Sequence, residues 1–594
     1  MNSDRPRNIK LEENPFTKWP IDNPLLSIMD CDSNHKFFDF IDRYFQANLG
    51  KLTAGLNPTT FSTAYFAWLM QLSISPGRLL DLSFFPLLPS QKEKEEKGLC
   101  EENDSRDVRF KTEEWQYLPW RLGVENFLLM EDWWRRATTN IPGLSNPIER
   151  IVAFTTRQVM DALSPSNFVM TNPELFNETI RTKGANLFHG TKLAIDDFLE
   201  KLVGVPPAGV ENFIPGKHVA ITPGKVVYRN HLIELIQYEA QTKTVYKEPI
   251  LMLPAWIMKY YILDLSPNNS LVKWLVQKGH TVFIVSWRNP DAKDRCLSMD
   301  DYYRKGAMDA IDAVSRILPK RKINLMGYCL GGTLAMITAA AMARDGDKRL
   351  KSLTLLAAQA DFTEAGELMV FITKSEVAFL KSLMWEQGYL DPKQMAGSFQ
   401  MLRSYDLIWS KMIHDYMSGT RRGMIDLLAW NADATRMPYK MHSEYLEKLF
   451  LNNDFAAGRY KVEKKSVSPT NISVPTFIVS TERDHVAPWR SVYKIHYMIN
   501  SDKTFVLAQG GHNAGIVNPP GKKSHSHSYR ILNRRADNHY LDASNWLDLA
   551  KVQKGSWWTA WNKWLDQHSS PKQVPAPRLD PSLPDAPGTY VLQK

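Results

Sequence analysis

Cysteine is scarce in this chain of 594 residues, which contains only Cys31, Cys100, Cys296 and Cys329 and no CxxC pair. So few cysteines exclude a disulfide-based scaffold, and they lead us to expect reduced thiols in a cytoplasmic protein. The chain also lacks any run of about 18 uninterrupted apolar residues, so we expect no transmembrane segment. Residues 1–10 are polar and lack the apolar core of a signal peptide, which predicts a protein that is not secreted.

The signatures of several other classes are missing as well. There is no repeat of fixed period, which excludes solenoids and propellers. Neither a Walker A loop nor a GxGxxG motif after a strand occurs, so we expect no nucleotide cofactor. His525 and His527 are the only close histidine pair, and because no cysteine or carboxylate accompanies them we expect no metal site. The net charge of +9 is mild for this length and predicts no nucleic-acid binding.

What the chain does contain, after residue 245, is a series of short apolar runs rich in β-branched residues. Such runs, alternating with segments of helical pattern such as Thr333–Arg344, predict an α/β protein whose parallel sheet is covered by helices on both faces. We assign residues 206–594 to this α/β domain and residues 1–205 to a mostly helical N-terminal domain. The predicted strands are Pro249–Leu253, Thr281–Trp287, Ile323–Met326, Leu353–Ala357, Val474–Ser480 and Thr504–Ala508.

One interval between predicted strands is much longer than a crossover needs. More than a hundred residues separate the strand that ends near Ala357 from the strand that begins at Val474. The insertion, about residues 361–473, is rich in methionine and aromatic residues. We interpret it as a helical cap. Its apolar side chains either form a core of their own or shape an apolar substrate channel, and the two interpretations are compatible.

The strongest local signal is the run GYCLGG from Gly327 to Gly332, which lies between a predicted strand and a predicted helix. A sharp strand–turn–helix bend exposes a nucleophile at the carboxyl edge of a sheet, and it needs small residues two positions before and after. The bend also directs the backbone N–H of Leu330 towards a reacting carbonyl oxygen, and the helix N-terminus favours a thiolate. Cys329 is thus the candidate nucleophile. The alternative is a glycine-rich turn around a buried structural cysteine.

Candidate partners for Cys329 follow two later predicted strands, in the order of an α/β-hydrolase triad. Asp484 and His512 each lie just past the carboxyl end of a strand. An imidazole held by a carboxylate can accept the proton of a thiol. Glu482 could replace Asp484, and His485 could replace His512, although we expect His485 to point elsewhere because it is adjacent to the acid.

A series of distinct motifs follows along the chain from about residue 107 to the last residue. They are Ala162–Phe168 (ALSPSNF), Lys259–Leu265 (KYYILDL), Gly279–Phe283 (GHTVF), Val285–Asp291 (VSWRNPD), Gly327–Thr333 (GYCLGGT), Trp430–Thr435 (WNADAT), Asp484–Trp489 (DHVAPW), Gly511–Gly515 (GHNAG) and Gly555–Trp558 (GSWW). This set resembles the polyhydroxyalkanoate synthases, the polyester polymerases of bacterial storage granules. The GYCLGG run alone is shared with other thiol hydrolases, whereas the ordered set is highly specific. Residues 1–100 show no clear resemblance.

The resemblance implies an α/β-hydrolase fold with an inserted cap and a synthase of the class I type. Such an enzyme polymerises (R)-3-hydroxyacyl-CoA, for example 3-hydroxybutyryl-CoA, into polyester and releases coenzyme A. The resemblance implies Cys329 as the acyl-carrying nucleophile, His512 as the general base and Asp484 as the acidic partner of His512. The coenzyme A belongs to the substrate, so no cofactor is implied.

The resemblance also implies an oxyanion region at Leu330 and at the loop of Trp256 and Ile257. The next residue, Met258, departs from the family pattern, which usually has asparagine there. The implied partners are the growing polyester, the granule surface, granule-associated proteins and a second copy of the chain in a homodimer. The implied location is the cytoplasm, at the surface of polyester granules.

Two other functions fit the same residues. A thiol-type α/β hydrolase, such as a thioesterase or a polyester depolymerase, uses the same triad and differs only in that water attacks the acyl group. A non-catalytic granule-coating protein is the second alternative. The large N-terminal region and the long insertion favour the polymerase over the hydrolase, and an intact set of Cys329, Asp484 and His512 disfavours the coating protein.

Overall fold

The computed structural model describes residues 37–53, 55–85, 107–402, 404, 408–521 and 526–594. Cys31, Cys100 and His525 lie outside these ranges. Cys329 is a free thiol, whereas Cys296 is disulfide-bonded. The expectation of a reduced thiol is therefore wrong for Cys296.

A sheet of ten strands forms the centre of the described structure. In chain order its strands are β1 (Gly224–Arg229), β2 (Ile233–Tyr238), β3 (Ile250–Leu253), β4 (Val282–Trp287), β5 (Ile323–Tyr328), β6 (Leu350–Leu356), β7 (Thr476–Thr481), β8 (Lys503–Ala508), β9 (Ser528–Arg534) and β10 (Lys551–Lys554). The spatial order is β1-β2-β4-β3-β5-β6-β7-β8-β9-β10. The strands from β4 to β8 in this order are parallel, and the two strands at each edge pair in antiparallel fashion.

The α-helices of four residues or more precede, separate and follow these strands. They are α1 (Phe37–Leu52), α2 (Pro58–Ser73), α3 (Pro76–Phe84), α4 (Trp120–Thr138), α5 (Asn146–Leu163), α6 (Pro173–Arg181), α7 (Ala185–Val203), α8 (Leu271–Gln277), α9 (Asp309–Ile317), α10 (Leu330–Arg344), α11 (Lys374–Gln387), α12 (Pro392–Leu402), α13 (Asp426–Asn431), α14 (Tyr439–Tyr445), α15 (Trp489–Tyr493), α16 (Ile495–Met498), α17 (Ala543–Leu549) and α18 (Trp557–His568). Two-residue strand pairs join Thr244–Val245 to Val574–Pro575, Tyr389–Leu390 to Met437–Pro438, and Lys461–Val462 to Lys465–Ser466.

Helices cover both faces of the sheet, as the unbroken apolar strands predict. The helix α10 is almost entirely buried in the core of one face. The helix α18 buries Trp557, Trp558, Trp561 and Trp564 in the core of the other face. The strands β3, β4, β5, β7 and β8 are buried along their whole length. The predicted α/β class is therefore confirmed, and the six predicted strands correspond to β3 through β8.

The four strands at the sheet edges are not among the sequence predictions. The strands β1 and β9 are only partly buried, and β10 is exposed, so they carry no continuous apolar signal. The strand β2 is fully buried, but Glu234 and Gln237 interrupt its apolar pattern. Edge strands and strands with buried polar residues therefore escape a search for apolar runs.

The insertion between β6 and β7 packs against the rest of the molecule on two sides. Met384 and Trp385 of α11 belong to the same buried cluster as the core of the sheet. On the other side, α7 lies so close that a Cβ on Gly190 would be 1.8 Å from the carbonyl oxygen of Tyr416. Asp197 of α7 accepts hydrogen bonds from Lys411 at 2.6 Å and from Tyr416 at 2.7 Å. The N-terminal helices therefore contact the insertion directly.

Candidate active site

Cys329 occupies the turn between β5, which ends at Tyr328, and α10, which begins at Leu330. Its backbone has φ 52° and ψ −120°, a region that is sterically costly for any residue with a side chain. The Cys329 N–H donates to the carbonyl of Leu356 on β6 at 2.9 Å and so ties the turn to the neighbouring strand. The thiol is partly buried and packs against the cores of both sheet faces, at the carboxyl edge of the sheet.

Three glycines make this turn sterically possible. A Cβ on Gly327 would lie 2.4 Å from the carbonyl oxygen of Gly331, and a Cβ on Gly331 would lie 2.0 Å from that of Leu253. A Cβ on Gly332 would lie 2.4 Å from the Cβ of Ala358. All three distances are well below van der Waals contact, so a larger residue at any of these positions would displace the turn.

Asp484 and His512 lie side by side on the loops that follow β7 and β8. His512 Nδ1 is 2.7 Å from Asp484 Oδ2. The other carboxylate oxygen of Asp484 accepts the backbone N–H groups of Val486 at 2.9 Å and Ala487 at 2.8 Å. Because the Asp484 side chain is fully buried, these bonds hold it in one orientation. The bond to Nδ1 leaves Nε2 of His512 available for proton exchange.

His512 interacts with Cys329 as well as with Asp484. Burial lowers the pKa of His512, but the charges of Asp484 and Cys329 and hydrogen bonds to both residues raise it well above its ordinary value. Both neighbours therefore favour uptake of a proton by the ring. A thiol, an imidazole and a buried carboxylate arranged in this order suit nucleophilic attack on an acyl group.

Two aromatic residues near the thiol escape sequence reasoning. Tyr328 donates to Asn513 Oδ1 at 2.5 Å, and its ring centroid is 5.7 Å from that of His512, so it steadies the histidine loop. Tyr445 of the insertion packs on the ring of Phe450 at 5.4 Å, and both its burial and the charge of Cys329 raise its pKa. The aromatic richness of the insertion was the signal for such a residue, but it did not identify the position.

The predicted oxyanion region consists of the start of α10 and the loop after β3. Leu330 is the first residue of α10, so its N–H has no acceptor within the helix. Trp256 packs its indole 5.7 Å from that of Trp287 in the core, so its backbone is the part that can serve the site. The carbonyls of Trp256 and Ile257 accept hydrogen bonds from the hydroxyl and the N–H of Thr435, respectively. These bonds fix the loop against the insertion.

The remaining residues from the sequence analysis lie elsewhere. Met258 forms a β-bridge with Ala434, and its side chain packs against the core of one sheet face. Glu482 and His485 are exposed. The structure therefore brings Cys329, Asp484 and His512 together and leaves the two rival residues at the surface.

A mostly parallel sheet with a thiol on the turn after β5, and with carboxylate and imidazole groups after β7 and β8, defines a protein of the α/β-hydrolase fold. The family described as "alpha/beta hydrolase fold" matches residues 248–519. The family "Poly-beta-hydroxybutyrate polymerase (PhaC) N-terminus" matches residues 106–275. The family "Poly-beta-hydroxybutyrate polymerase N terminal" matches residues 36–78, a part of the chain in which sequence reasoning finds no clear resemblance.

Three curated relatives define the family of the chain more narrowly than the fold does. It is 41% identical to the poly(3-hydroxyalkanoate) polymerase of Methylorubrum extorquens, over 82% of this chain and 81% of the relative. It is 37% identical to the poly(3-hydroxyalkanoate) polymerase subunit PhaC of Rhizobium meliloti (strain 1021), over 82% and 79% of the two chains. It is 34% identical to the corresponding subunit of Cupriavidus necator, over 82% and 83%. The chain belongs to the poly(3-hydroxyalkanoate) polymerases, which are acyl-transferring synthases.

Proposed function

We propose that this polymerase uses (R)-3-hydroxyacyl-CoA, with 3-hydroxybutyryl-CoA as the preferred substrate, and carries the growing polyester as a thioester on Cys329. The observation that supports this is the free Cys329 thiol on its strained turn, beside a His512 that is held by the buried carboxylate of Asp484. Exchange between two thioesters is nearly isoenergetic, so a cysteine can accept an acyl group from coenzyme A and pass it on.

The first step is acylation of Cys329. His512 takes the thiol proton, and the sulfur attacks the thioester carbonyl of the substrate. The N–H of Leu330 and a backbone N–H of the loop at Trp256 and Ile257 stabilise the negative oxygen that forms. The carbon–sulfur bond to coenzyme A then breaks, and the leaving thiolate takes a proton from His512.

The second step is elongation, in which a 3-hydroxyl group attacks the acyl group on Cys329. His512 takes the proton of that hydroxyl while Asp484 holds the imidazole in position. The new ester bond forms as the thioester to Cys329 breaks, and the proton returns to the sulfur. When the attacking hydroxyl belongs to an incoming 3-hydroxyacyl-CoA, the lengthened chain is now a thioester of coenzyme A, and the first step passes it back to Cys329. Each step uses only groups of the chain and of the substrate, so the proposal includes neither a metal nor a cofactor.

The hydrolase alternative differs only in the second nucleophile. Tyr445 of the insertion is buried, interacts with Cys329 and packs on the ring of Phe450. Such surroundings favour an apolar acyl chain over bulk water. Hydrolysis would yield free hydroxy acid, whereas polymerisation yields insoluble polyester together with free coenzyme A.

We also propose that the protein works at the surface of polyester granules in the cytoplasm, as a homodimer and in contact with granule-associated proteins. No helix in the described ranges has the length and apolar character needed to cross a bilayer. The N-terminal helices nevertheless expose many large apolar side chains, including Phe45, Phe66, Phe188 and Phe198, each more than 60% exposed. An apolar surface of this kind suits contact with a polyester.

The test is a CoA-release assay on purified protein across 3-hydroxyacyl-CoA chain lengths, with recovery of the product. Release of coenzyme A together with insoluble polymer, fastest with 3-hydroxybutyryl-CoA, is the expected result. Cys329→Ala serves as the blank. Free hydroxy acid in place of polymer would contradict the proposal.

A further inference from the structure

Lys259 is a buried lysine at the end of the loop that follows β3. Only 3% of the residue is exposed, and burial lowers its pKa to about 8. Its Nζ donates to the carbonyl of Gln593 at 2.6 Å and to that of Tyr590 at 3.5 Å. Both acceptors belong to residues 589–594, which we call the C-terminal segment. Because an ammonium group is costly to bury, a lysine in this position depends on acceptors such as these two carbonyl groups.

The C-terminal segment is held at both of its ends. Near its start, the fully buried carboxylate of Glu234 on β2 accepts the N–H groups of Thr589 and Tyr590, each at 2.9 Å. Near its end, the side-chain oxygen of Gln593 accepts the backbone N–H of Asn289 at 3.1 Å. The segment therefore offers Lys259 a fixed acceptor rather than a loose one.

The loop that Lys259 closes also touches the nucleophile turn. A Cβ on Gly331 would lie 2.0 Å from the carbonyl oxygen of Leu253 and 2.5 Å from that of Pro254, so the loop and the turn share one contact. The carbonyl of Lys259 accepts the indole N–H of Trp430 at 2.7 Å. Lys259 is thus anchored through both its main chain and its side chain.

We propose that Lys259 and the C-terminal segment form a clamp that positions the backbone of residues 256–258 against the thioester carbonyl. The inference rests on the proposed function of this loop as an oxyanion donor beside Leu330. A donor stabilises an oxyanion only when it is held within about 0.5 Å of the productive geometry. Lys259 acts through the loop and is a positioning residue.

The test compares two buried lysines. Lys259→Met keeps the apolar stem and removes the ammonium group. Lys503→Met is the matched control, because Lys503 is also buried and donates to two backbone carbonyls, of Ile499 at 3.0 Å and His496 at 3.4 Å. We expect Lys259→Met to lower the kcat of CoA release roughly tenfold or more while KM stays within about twofold. Lys503→Met should leave kcat near the wild-type value.

Conservative variants separate positioning from general stability. Lys259→Arg keeps a donor for the carbonyl of Gln593 and should restore part of kcat. Gln593→Ala removes the acceptor of the Asn289 N–H and should lower kcat, whereas Gln593→Glu keeps an acceptor and should not. The Gln593 pair also carries the test if Lys259→Met fails to fold.

Several results would overturn the clamp. They are a wild-type kcat in folded Lys259→Met, a fall in kcat that Lys503→Met matches, or, where Lys259→Met does not fold, equal kcat for Gln593→Ala and Gln593→Glu. Failure of the proposed function is distinct, because it would appear as CoA release that survives Cys329→Ala in the otherwise wild-type protein.

Discussion

At the residue scale, the proposed mechanism gives His512 and Asp484 different tasks although they share one hydrogen bond. In the proposed mechanism, His512 is the base for both the Cys329 thiol and the incoming hydroxyl, so its loss would leave either nucleophile without a proton acceptor. Asp484 holds the ring by its hydrogen bond to Nδ1 and helps to raise the pKa of His512, so its proposed task is to orient the base. Removing each residue should therefore affect the two chemical steps unequally.

We expect His512→Ala to lower both acylation and elongation by about 10²- to 10⁴-fold. Asp484→Asn should lower acylation by less than about tenfold, because a cysteine is intrinsically nucleophilic, and elongation by about a hundredfold or more. Single-turnover acyl-enzyme formation beside steady-state CoA release measures the two effects. His485→Gln is the control and should stay active, since His485 is exposed. Equal losses in both steps for Asp484→Asn would speak against this division of roles.

At the element scale, a buried carboxylate joins the N-terminal helices to the insertion. Glu376 on α11 accepts the backbone N–H of Asn57, just before α2, through both carboxylate oxygens at 3.1 and 3.2 Å. Burial raises the pKa of Glu376 to about 7, although the bonds from Asn57 and Thr60 act in the opposite direction. The carboxyl group that joins the N-terminal helices to the insertion therefore changes its protonation state near neutral pH.

The sign of the effect on stability follows from proton binding. The folded state binds the Glu376 proton more tightly than the unfolded state, so this group makes the free energy of unfolding decrease as pH rises from about 4.5 to about 7. Glu376→Gln keeps an acceptor for Asn57 and should remove this contribution. The free energy of unfolding of the variant should therefore increase relative to that of wild type by up to about 3 kcal/mol between pH 5 and pH 8. Denaturant unfolding at both pH values measures the difference. The exposed Glu113→Gln is the control, and a Glu376→Gln protein with the pH dependence of wild type would refute the argument.

The sequence predicts the elements around the site better than the contacts between distant elements. The strands β3 to β8 are predictable because each is a continuous apolar run, and the turn at Cys329 is predictable because glycines flank it at fixed spacing. The strand β2 is not, because Glu234 interrupts its apolar pattern to hold residues from the other end of the chain. The bonds of Lys259 to Gln593 likewise join positions more than three hundred residues apart, and no local pattern encodes such a pair.

At the scale of the whole molecule, apolar exposure is concentrated in the N-terminal helices. On α7, Phe188 is 75% exposed, Phe198 61% and Leu202 66%, and the last two are one helical turn apart. The other side of α7 is held against the insertion through Asp197. The helix therefore presents an apolar surface outward while its polar contacts fasten it to the molecule.

We expect the triple variant Phe188→Ser, Phe198→Ser, Leu202→Ser to bind purified polyester granules several-fold more weakly than wild type. Initial CoA release from soluble substrate should change little, because α7 carries none of the proposed catalytic residues. Leu549→Gln with Val552→Gln is the matched control, since these apolar side chains are similarly exposed but lie far from α7 in the sequence, near β10. Granule co-sedimentation measures the association, and unchanged binding by the triple variant would argue against this surface.

The measurement that tests the central claim most directly is mass spectrometry of the protein after a single turnover with 3-hydroxybutyryl-CoA. Cleavage after Lys322 and Arg344 yields a peptide in which Cys329 is the only cysteine. We predict that this peptide gains the mass of one or more hydroxybutyryl units, that Cys329→Ala prevents the gain, and that coenzyme A is released in matching amount. Polymer formation without any acyl group on this peptide, or with Cys329→Ala still active, would contradict the account.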